Sequence, residues 1–505
     1  MKHLQLKKYI TIVIATVFIN STGFSQTVPY NIVGTGQTNS YNNTGIISLP
    51  TTGQSFYGQN TNHSGNTPSY TDNGNGTITD YVTGLMWEKT ADKNNDAAIN
   101  YYDKQTYAEA LAGAASCSTG GYTDWRLPSI KELYSLIMYY GAESNPTATT
   151  QGTSVPFINT NYFTFGYGDL NSSSHGATSD ERLIDAQYAT TSIYVSTTMN
   201  GVSTMFGVNF ADGRIKGYPA NNQKKYYIKY VRRNTAYGIN NYVDNQDGTI
   251  TDNATGLMWM QNDNTTSILW ESALSYAEDF TFAGYSDWRL PDVKELQGIV
   301  DYSRSPATSN SAAINPVFNC TQITDEAGVA DYPYYMSSTT FSSQTPTDGT
   351  HACYVSFGRA MGYMAVYGGW IDVHGAGAQR ADPKTGDPAS FPTGFGPQGD
   401  AIRIYNYVRL VRNAGSTTGI NQIENKSQLN IYPNPSKDFL TINLNKTIAA
   451  NAEITIYSFT GELVYAENID FLDNVNINVS NIVKGIYLLK IKINDDVLTK
   501  KFIKN

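Results

Sequence analysis

Basic and aromatic residues alternate between positions 214 and 230 of this 505-residue chain. The basic members are Arg214, Lys216, Lys224, Lys225 and Lys229, and the tyrosines among them are Tyr218, Tyr226, Tyr227 and Tyr230. Cations and aromatic rings that share one strand face can hold and stack an acidic glycan. The same alternation arises on an ordinary solvated strand, so both interpretations stay open at this point.

A second group of candidate residues lies in a glycine-rich segment, Gly368 to Gly399. We expect this segment to be a loop, and loops held by a rigid scaffold often contact ligands. A loop with a structural role only is the alternative. The candidate ligand-binding residues in this segment are Trp370, Asp372, His374 and Arg380.

The sequence lacks the familiar signatures of catalysis. It has no G-x-S-x-G, H-E-x-x-H, phosphate-loop or dinucleotide motif, and its 5 histidines are scattered. We therefore predict a protein that is not an enzyme and that holds no cofactor. Two acidic turns, Asp72–Gly76 and Asp244–Gly248, could suit calcium, but they lack the glutamate of an EF-hand loop, so turn formation is the simpler interpretation.

A duplication supplies the elements that must position these residues. GTITDYVTGLMW at Gly76 to Trp87 matches GTITDNATGLMW at Gly248 to Trp259 at ten of twelve positions. GYTDWRLPSIKEL at Gly121 to Leu133 and GYSDWRLPDVKEL at Gly284 to Leu296 follow in the same order. Each repeat then closes with a basic strand, so chance does not explain the match and two homologous domains are predicted.

Each repeat, 71–234 and 235–412, is predicted to be an α+β domain with an irregular antiparallel sheet and two helices. The first motif predicts a hairpin. Ser129 and Glu132 in the second motif have the spacing of a capping box, as do their counterparts in the second repeat, so a helix begins there. The motif residues that we expect to be structural, with each arginine paired internally, are Trp87, Trp125, Arg126, Pro128, Trp259, Trp288, Arg289 and Pro291.

The amino terminus predicts export. Residues 1–25 combine three lysines, a short apolar stretch and a small-residue cleavage site, which is typical of a signal peptide. No later segment is long and apolar enough to span a bilayer, so we expect a mature chain without a transmembrane segment that begins with a lead-in at 26–70. The net charge of −9 argues against nucleic acid as a partner.

Export would also admit disulfide bonds. Cys320 and Cys353 both lie in the second repeat and could form one, whereas Cys117 stands alone in the first repeat. Two unpaired thiols are the alternative.

The C-terminal part of the chain follows a different pattern. Residues 413–428 are polar and lack apolar periodicity, which predicts a linker. Short alternating strands then recur through 429–505 at about ten-residue spacing, which predicts an all-β, immunoglobulin-like sandwich.

The repeated motifs resemble those of the Lcl C-terminal domain family. The resemblance covers both repeats and extends into the lead-in, where VGTGQT and SFYGQN are similar to the usual approach to that domain. It implies a C-type-lectin-like fold for each repeat. For the collagen-like adhesins of the family it implies binding to sulfated glycosaminoglycans.

Residues 429–505 resemble the C-terminal sorting domain of the type IX secretion system. The residues that carry the resemblance are IYPNP at Ile431–Pro435, GIYLLKI at Gly485–Ile491 and the terminal KKFIKN. The resemblance implies the type IX secretion machinery as a partner and a location that is secreted or on the outer cell surface.

The sequence as a whole predicts an exported tandem lectin-like protein that binds an extracellular glycan or surface polymer in adhesion. One alternative is a structural or filament-associated surface protein without a small ligand. The other is an exported enzyme that acts on polysaccharide.

Overall fold

A computed structural model describes most of the chain, in two compact units that lie before and after residue 415. The predicted signal peptide at 1–25 and most of the predicted linker at 413–428 lie outside the described residues. No helix of the described part is long and apolar enough to cross a membrane. The described residues are 29–414, 429–444, 450–458, 462–471, 474–493 and 496–505.

Short strands dominate the lead-in and the first repeat. The two helices are α1 (Tyr107–Gly113) and α2 (Ile130–Tyr134). The strands are β1 (Ser40–Tyr41), β2 (Ile46–Ile47), β3 (Tyr70–Asp72), β4 (Thr77–Asp80), β5 (Leu85–Glu88), β6 (Gln105–Thr106), β7 (Ala142–Glu143), β8 (Gln187–Tyr188), β9 (Ile193–Thr198), β10 (Val202–Asn209), β11 (Arg214–Pro219), β12 (Lys225–Tyr226) and β13 (Val231–Arg233).

The second repeat has the same mostly β character. Its helices are α3 (Trp270–Glu278), α4 (Val293–Gly298) and the short α5 (Pro306–Ser309). The second repeat therefore has one helix more than the two predicted. Its strands are β14 (Tyr242–Asp244), β15 (Thr249–Asp252), β16 (Leu257–Met260), β17 (Ile323–Thr324), β18 (Ala330–Asp331), β19 (Tyr334–Ser343), β20 (His351–Ser356), β21 (Met361–Met364), β22 (Gly369–Asp372), β23 (Gln379–Pro383) and β24 (Val411–Asn413).

The first motif forms the same small sheet in both repeats. Strands β4 and β5 pair as a hairpin that sets Ile78 opposite Trp87, and β15 and β16 set Ile250 opposite Trp259. The closing basic strand of each repeat then adds to the hairpin, as β13 beside β5 and β24 beside β16. Both tryptophans are fully buried, so each hairpin is anchored in the core.

The second motif starts a capped helix. Ser129 accepts a hydrogen bond from the backbone N–H of Glu132, and the Glu132 carboxylate accepts one from the backbone N–H of Ser129. The same carboxylate pairs with both terminal nitrogens of Arg126, so one side chain caps the helix and holds the arginine. The second repeat has the same arrangement in Arg289, Asp292 and Glu295.

Helices α2 and α4 pack against each other through a reciprocal pair of lysines. Lys131 Nζ donates to the carbonyl of Gly298 at 2.7 Å, and Lys294 Nζ donates to the carbonyl of Ser135 at 2.8 Å. The two donors occupy equivalent motif positions, and so do the two acceptors. The repeats therefore meet as the halves of an isologous dimer do, around a pseudo-twofold axis.

One sheet runs through both repeats. Its strand order is β7-β19-β20-β23-β11-β10-β8, with β9 also paired to β10. The repeats join at two places in this sheet: β11 pairs with β23, where Ile215 lies opposite Gln379, and β7 pairs with β19. The lead-in joins the repeats as well, because Gln37 Nε2 donates to the carbonyls of Tyr139 and Thr340.

The C-terminal unit consists of two antiparallel sheets with a core of their own. Leu440 and Ile477 from one sheet and Ile454 and Leu489 from the other belong to a single buried cluster, so the sheets form a sandwich. The sheet orders are β25-β26-β29 and β28-β27-β30-β31. These strands are β25 (Leu429–Tyr432), β26 (Phe439–Leu444), β27 (Ala450–Ser458), β28 (Leu463–Phe471), β29 (Asn474–Asn478), β30 (Gly485–Ile493) and β31 (Asp496–Lys504).

Candidate functional site

A cavity of about 870 Å³ lies where β11 of the first repeat meets β23 of the second. We call it the inter-repeat cavity. Its volume is near the upper end of the roughly 300–1,000 Å³ typical of small-molecule sites. The ionisable side chains on its wall are Glu143, Arg182, Asp212, Arg214, Lys216 and Lys224 from the first repeat, and His351, Arg380, Asp382 and Asp400 from the second.

The first-repeat wall consists of paired charges on and beside β11. Arg214 bonds to the carboxylate of Glu143, and its guanidinium lies over the ring of Phe341, 4.6 Å from the ring centroid. Lys216 Nζ donates to Asp212 Oδ2 at 2.6 Å. Arg214 and Lys216 are therefore both paired with a carboxylate in the cavity wall.

The second-repeat wall is built around Asp400. Arg380 donates to its Oδ2, and His374 Nε2 lies 2.8 Å from its Oδ1. Burial and the charge of Arg380 lower the pKa of His374 to about 4, so this imidazole is neutral at pH 7. Burial alone would raise the pKa of Asp400, but the charge of Arg380 and a hydrogen bond with His374 hold it below the usual range, so Asp400 is ionised.

Asp382 provides a different kind of group on the same wall. Its Oδ2 accepts a hydrogen bond from the backbone N–H of Arg403 at 2.7 Å. Burial raises the pKa of Asp382 to about 8, so the carboxyl is mostly protonated at pH 7 and can donate a hydrogen bond. The wall thus offers both donors and acceptors.

Aromatic side chains complete the cavity lining. They come from Tyr218 in the first repeat and from Tyr367, Phe391 and Phe395 in the second. Phe395 is 68% exposed and packs edge-on against Phe391, with ring centroids 6.4 Å apart. Exposed rings beside hydrogen-bonding groups can stack against the apolar face of a ligand while its polar groups are bound by the wall.

The structure divides the basic residues of the first repeat, so they and the interleaved tyrosines do not form the single stackable face that one of the two interpretations describes. Arg214, Lys216 and Lys224 line the inter-repeat cavity, but Lys225 does not, and its Nζ lies over the ring of Tyr101 instead. The interleaved tyrosines are buried rather than presented for stacking. They are Tyr218, Tyr226, Tyr227 and Tyr230.

Lys229 departs furthest from the predicted face. It is fully buried, and its Nζ donates to the carbonyls of Glu88 and Lys89 at 3.1 and 3.2 Å. Burial lowers its pKa to about 7. The two backbone carbonyls accept hydrogen bonds from the buried ammonium group and offset part of the free-energy cost of burying it. A lysine in an alternating strand pattern can therefore point into the core.

The glycine-rich segment is not the simple loop that its composition predicts, because it contains β22 and β23. Of its four candidate residues, Arg380 lines the cavity. His374 is not part of the lining but contacts Asp400, which is. Trp370 packs against Tyr363 away from the cavity lining. Asp372 also lies elsewhere: it accepts a hydrogen bond from Tyr194 at 2.9 Å, and burial raises its pKa to about 7.

The disulfide that Cys320 and Cys353 could form is absent, and both thiols are free. Cys353 is buried on β20 in the shared core. Cys320 instead lies 3.4 Å from Arg409 Nη2. The two cysteines therefore have separate environments, and Cys117 has a third, 3.3 Å from Glu88.

The motif residues with a predicted structural role lie away from the inter-repeat cavity. Trp125 and Trp288 are buried, and each donates its indole N–H to a backbone carbonyl of the preceding segment. Pro128 and Pro291 each accept a backbone hydrogen bond, from Thr191 and Ser338. A second cavity of about 590 Å³ lies beside α2, but the Lys131 ammonium on its wall is already held by three oxygen atoms.

The two acidic turns are closed by their own atoms. Asp72 Oδ1 accepts from the backbone N–H of Gly74, and Asp244 Oδ1 accepts from that of Gln246. In the part of the chain that the structure describes, no group of three or more His, Cys, Asp or Glu residues could hold a metal ion. Turn formation stays the simpler interpretation of these two segments, and calcium binding stays its untested alternative.

Sequence reasoning missed several residues of the cavity. Glu143 and Asp400 lie 71 and 20 residues from their arginine partners, so no local motif marks them. Asp212 lies only four residues before its partner Lys216, and this spacing was a signal that could have found it. Phe391 and Phe395 carry a weak signal, because large aromatic residues among glycines and prolines have no apolar periodicity to bury them.

Comparison with known families and structures gives two family matches. The Lcl C-terminal domain model matches residues 76–232 and 248–369, and the secretion system C-terminal sorting domain model matches residues 430–505. No curated protein matches the chain.

Two solved structures are similar to a small part of the chain. An immunoglobulin-like β-sandwich protein from Bacteroides vulgatus is 21% identical over 15% of this chain and 85% of its own, with a TM-score of 0.14. Dimeric latent PorU from Porphyromonas gingivalis is 23% identical over 15% of this chain and 9% of its own, also with a TM-score of 0.14.

Proposed function

Because the chain belongs to the Lcl C-terminal domain family and ends in a secretion sorting domain, we propose that it is a glycan-binding protein that acts outside the cell in adhesion. The sorting domain marks proteins that are exported to the cell surface or secreted, and it implies contact with the secretion machinery. The proposal adds the ligand class and the biological role to that location.

The inter-repeat cavity is the observation that carries the proposal. It combines a volume of about 870 Å³ with charged hydrogen-bonding pairs on its wall and exposed rings such as Phe395. Sugars present hydroxyl groups along their edges and C–H groups on their faces, so they match a site of this kind. Residues of both repeats line the cavity, which gives the duplication a functional reason.

The proposal includes binding without turnover and a C-type-lectin-like fold for each repeat. The fold proposal is supported by the pairing of each closing strand with the opening hairpin of its repeat, and by the helices that lie between them in sequence. The binding role is supported by Asp400, whose carboxylate is occupied by Arg380 and His374 rather than free for acid–base work.

A saccharide array tests the proposal. We expect the secreted chain to bind at least one saccharide class, and Phe395→Ala to weaken that binding by about tenfold through loss of ring contact. Tyr81→Ala is the matched control, because Tyr81 is 64% exposed but does not line the cavity. Absence of binding across the array, or equal loss in both variants, would contradict the proposal.

A further inference from the structure

We infer that the inter-repeat cavity selects an uncharged, hydroxyl-rich oligosaccharide over uronate-bearing and sulfated ones. This inference rests on the proposed glycan-binding function and narrows its ligand class. It departs from the acidic ligand that the basic residues of the sequence suggest. The reason lies in how the wall compensates its own charges.

The positive charges of the two β11 cations are already compensated by carboxylates of the protein. Arg214 is bonded to Glu143, and Lys216 is bonded to Asp212. The side chains of Arg214 and Lys216 are only 14% exposed, so these ion pairs are partly desolvated. Breaking either pair in order to bind a ligand therefore costs free energy. An acidic sugar would have to displace a carboxylate that is already in place.

The remaining cations of the cavity follow the same rule. Arg182 makes a two-pronged contact with Asp185, at 3.0 and 3.1 Å, and Lys224 Nζ lies 3.9 Å from the same carboxylate. Arg380 is held by Asp400. Arg182 and Lys224 share the Asp185 carboxylate and are 48% and 35% exposed, so their charges are less fully compensated than those of the two β11 cations. An anionic ligand would still meet a carboxylate beside each cation, and like-charge contacts of this kind disfavour it.

The wall also keeps hydrogen-bonding capacity that suits hydroxyl groups. Gln187 Oε1, Asp212 Oδ1 and the Tyr218 hydroxyl are buried atoms of lining residues with no hydrogen-bond partner in the described part of the chain. Two of these atoms only accept, whereas a tyrosine hydroxyl both donates and accepts. A sugar hydroxyl has the same dual capacity, so it can satisfy either kind of atom.

The size and the aromatic lining indicate several sugar rings. A volume of about 870 Å³ exceeds the need of a single ring. Phe395 is 68% exposed and Tyr367 is 45% exposed, so both can stack against pyranose faces that carry no charge. The ligand that fits these features is a neutral oligosaccharide.

A comparison of neutral and acidic probes tests the inference. Calorimetry on the secreted chain would use oligosaccharides from laminarin, xylan and mannan against those from alginate, polygalacturonate and heparin. We expect at least one neutral probe to bind about tenfold more tightly than any acidic probe. Tighter binding of an acidic probe that Phe395→Ala abolishes would overturn the inference and keep the proposed function. Failure of every probe would overturn both.

Removing one wall carboxylate should change the selectivity. In Glu143→Gln, Arg214 loses its nearest carboxylate and keeps only Asp212, at 3.8 Å, and we expect affinity for the acidic probes to rise by about three- to tenfold. Glu326→Gln is the matched control, because it breaks the Glu326–Arg403 ion pair, and neither residue lines the cavity. No gain in Glu143→Gln, or an equal gain in the control, would overturn the inference.

A single hydroxyl provides a test that leaves the fold intact. Tyr218→Phe removes an oxygen without a partner, so we expect unchanged thermal unfolding and about three- to tenfold weaker binding of the neutral probe. Tyr70→Phe is the control, since Tyr70 has the same 8% exposure and a hydroxyl without a partner among the described residues, but lies outside the cavity lining. Equal affinities of the two variants would overturn the role of the wall hydroxyl groups.

Discussion

The two repeats share one framework but present different walls to the cavity. Both bury a cation beneath the closing strand: Lys229 donates to the carbonyls of Glu88 and Lys89, and Arg409 donates to the equivalent carbonyls of Met260 and Gln261. On the cavity strands the chemistry diverges. β11 carries two cations, whereas β23 carries a cation and a mostly protonated carboxyl.

This difference separates the positions that stabilise the fold from the positions that line the proposed binding site. The buried cation is a framework feature, since it serves backbone carbonyls in both repeats. The strands that meet at the pseudo-twofold axis differ because together they form one cavity, so neither repeat has a whole site of its own. The following variants test this division.

The largest expected effect comes from the tryptophans of the two hairpins. Trp87→Ala and Trp259→Ala each remove a fully buried ring, so we expect each to lower the free energy of unfolding by about 3–5 kcal/mol. Because the two side chains belong to one shared core, residues 29–414 should unfold in one transition in denaturant. Two separate transitions, only one of them shifted, would show that the repeats are independent.

A smaller difference should separate the two helix-capping glutamates. Glu295→Gln leaves the Arg289 side chain, which is 12% exposed, without its carboxylate partner. We expect this change to lower the free energy of unfolding by about 3 kcal/mol. Glu132→Gln leaves Arg126, which is 32% exposed and partly hydrated, so we expect a loss of about 1–2 kcal/mol. Chemical denaturation measures both, and equal losses would contradict the role of burial.

The pH dependence of stability should distinguish the two buried cations. Lys229 binds its proton less tightly in the folded state than in the unfolded state, because its folded pKa is about 7 and the usual lysine value is 10.5. Stability should therefore rise between pH 7 and pH 10, with a contribution from Lys229 of up to about 1.4 kcal/mol per pH unit.

Replacing this lysine with the cation of the second repeat isolates its contribution. Lys229→Arg should make the rise in stability between pH 7 and pH 10 less steep, because arginine stays protonated throughout that range. Part of the rise should remain, because burial lowers the pKa of Lys294 to about 7 and that of Lys131 to about 8. Lys225→Arg is the control, since Lys225 is only partly buried. Parallel pH profiles of the wild type and Lys229→Arg, measured by denaturant titration, would contradict the assignment.

The smallest effect concerns the cysteines of the second repeat. Because Cys320 and Cys353 are free, a reducing agent should leave the melting temperature unchanged within about 1 °C. Thiol titration of the unfolded chain should find three free thiols, one from the first repeat. A titration that finds only one thiol would show that the bond forms.

The sequence was sufficient for the elements that local rules determine. The hairpins at Trp87 and Trp259 follow from alternation and turns, and the helices at Ser129 and Asp292 follow from capping boxes. The seven strands of the C-terminal sandwich follow from regular alternating patterns. Each of these signals lies within a dozen residues, so neighbours along the chain determine the outcome.

Long-range pairing explains what the sequence could not show. Strand β23 lies in a glycine-rich segment with no strand pattern, and it forms because β20 and β11 pair with it on either side. Likewise, the partners of Arg214 and Arg380 come from β7 and from Asp400, and no spacing rule connects them. The inter-repeat cavity depends on such contacts, so neither the cavity nor the pairing of its charges could be predicted from the sequence.

The most direct measurement is a structure of the secreted chain with the tightest-binding neutral oligosaccharide. We expect the sugar to lie between β11 and β23, stacked on Phe395 and hydrogen-bonded to side chains of both repeats. A sugar bound within a single repeat, or at the cavity beside α2, would contradict this expectation.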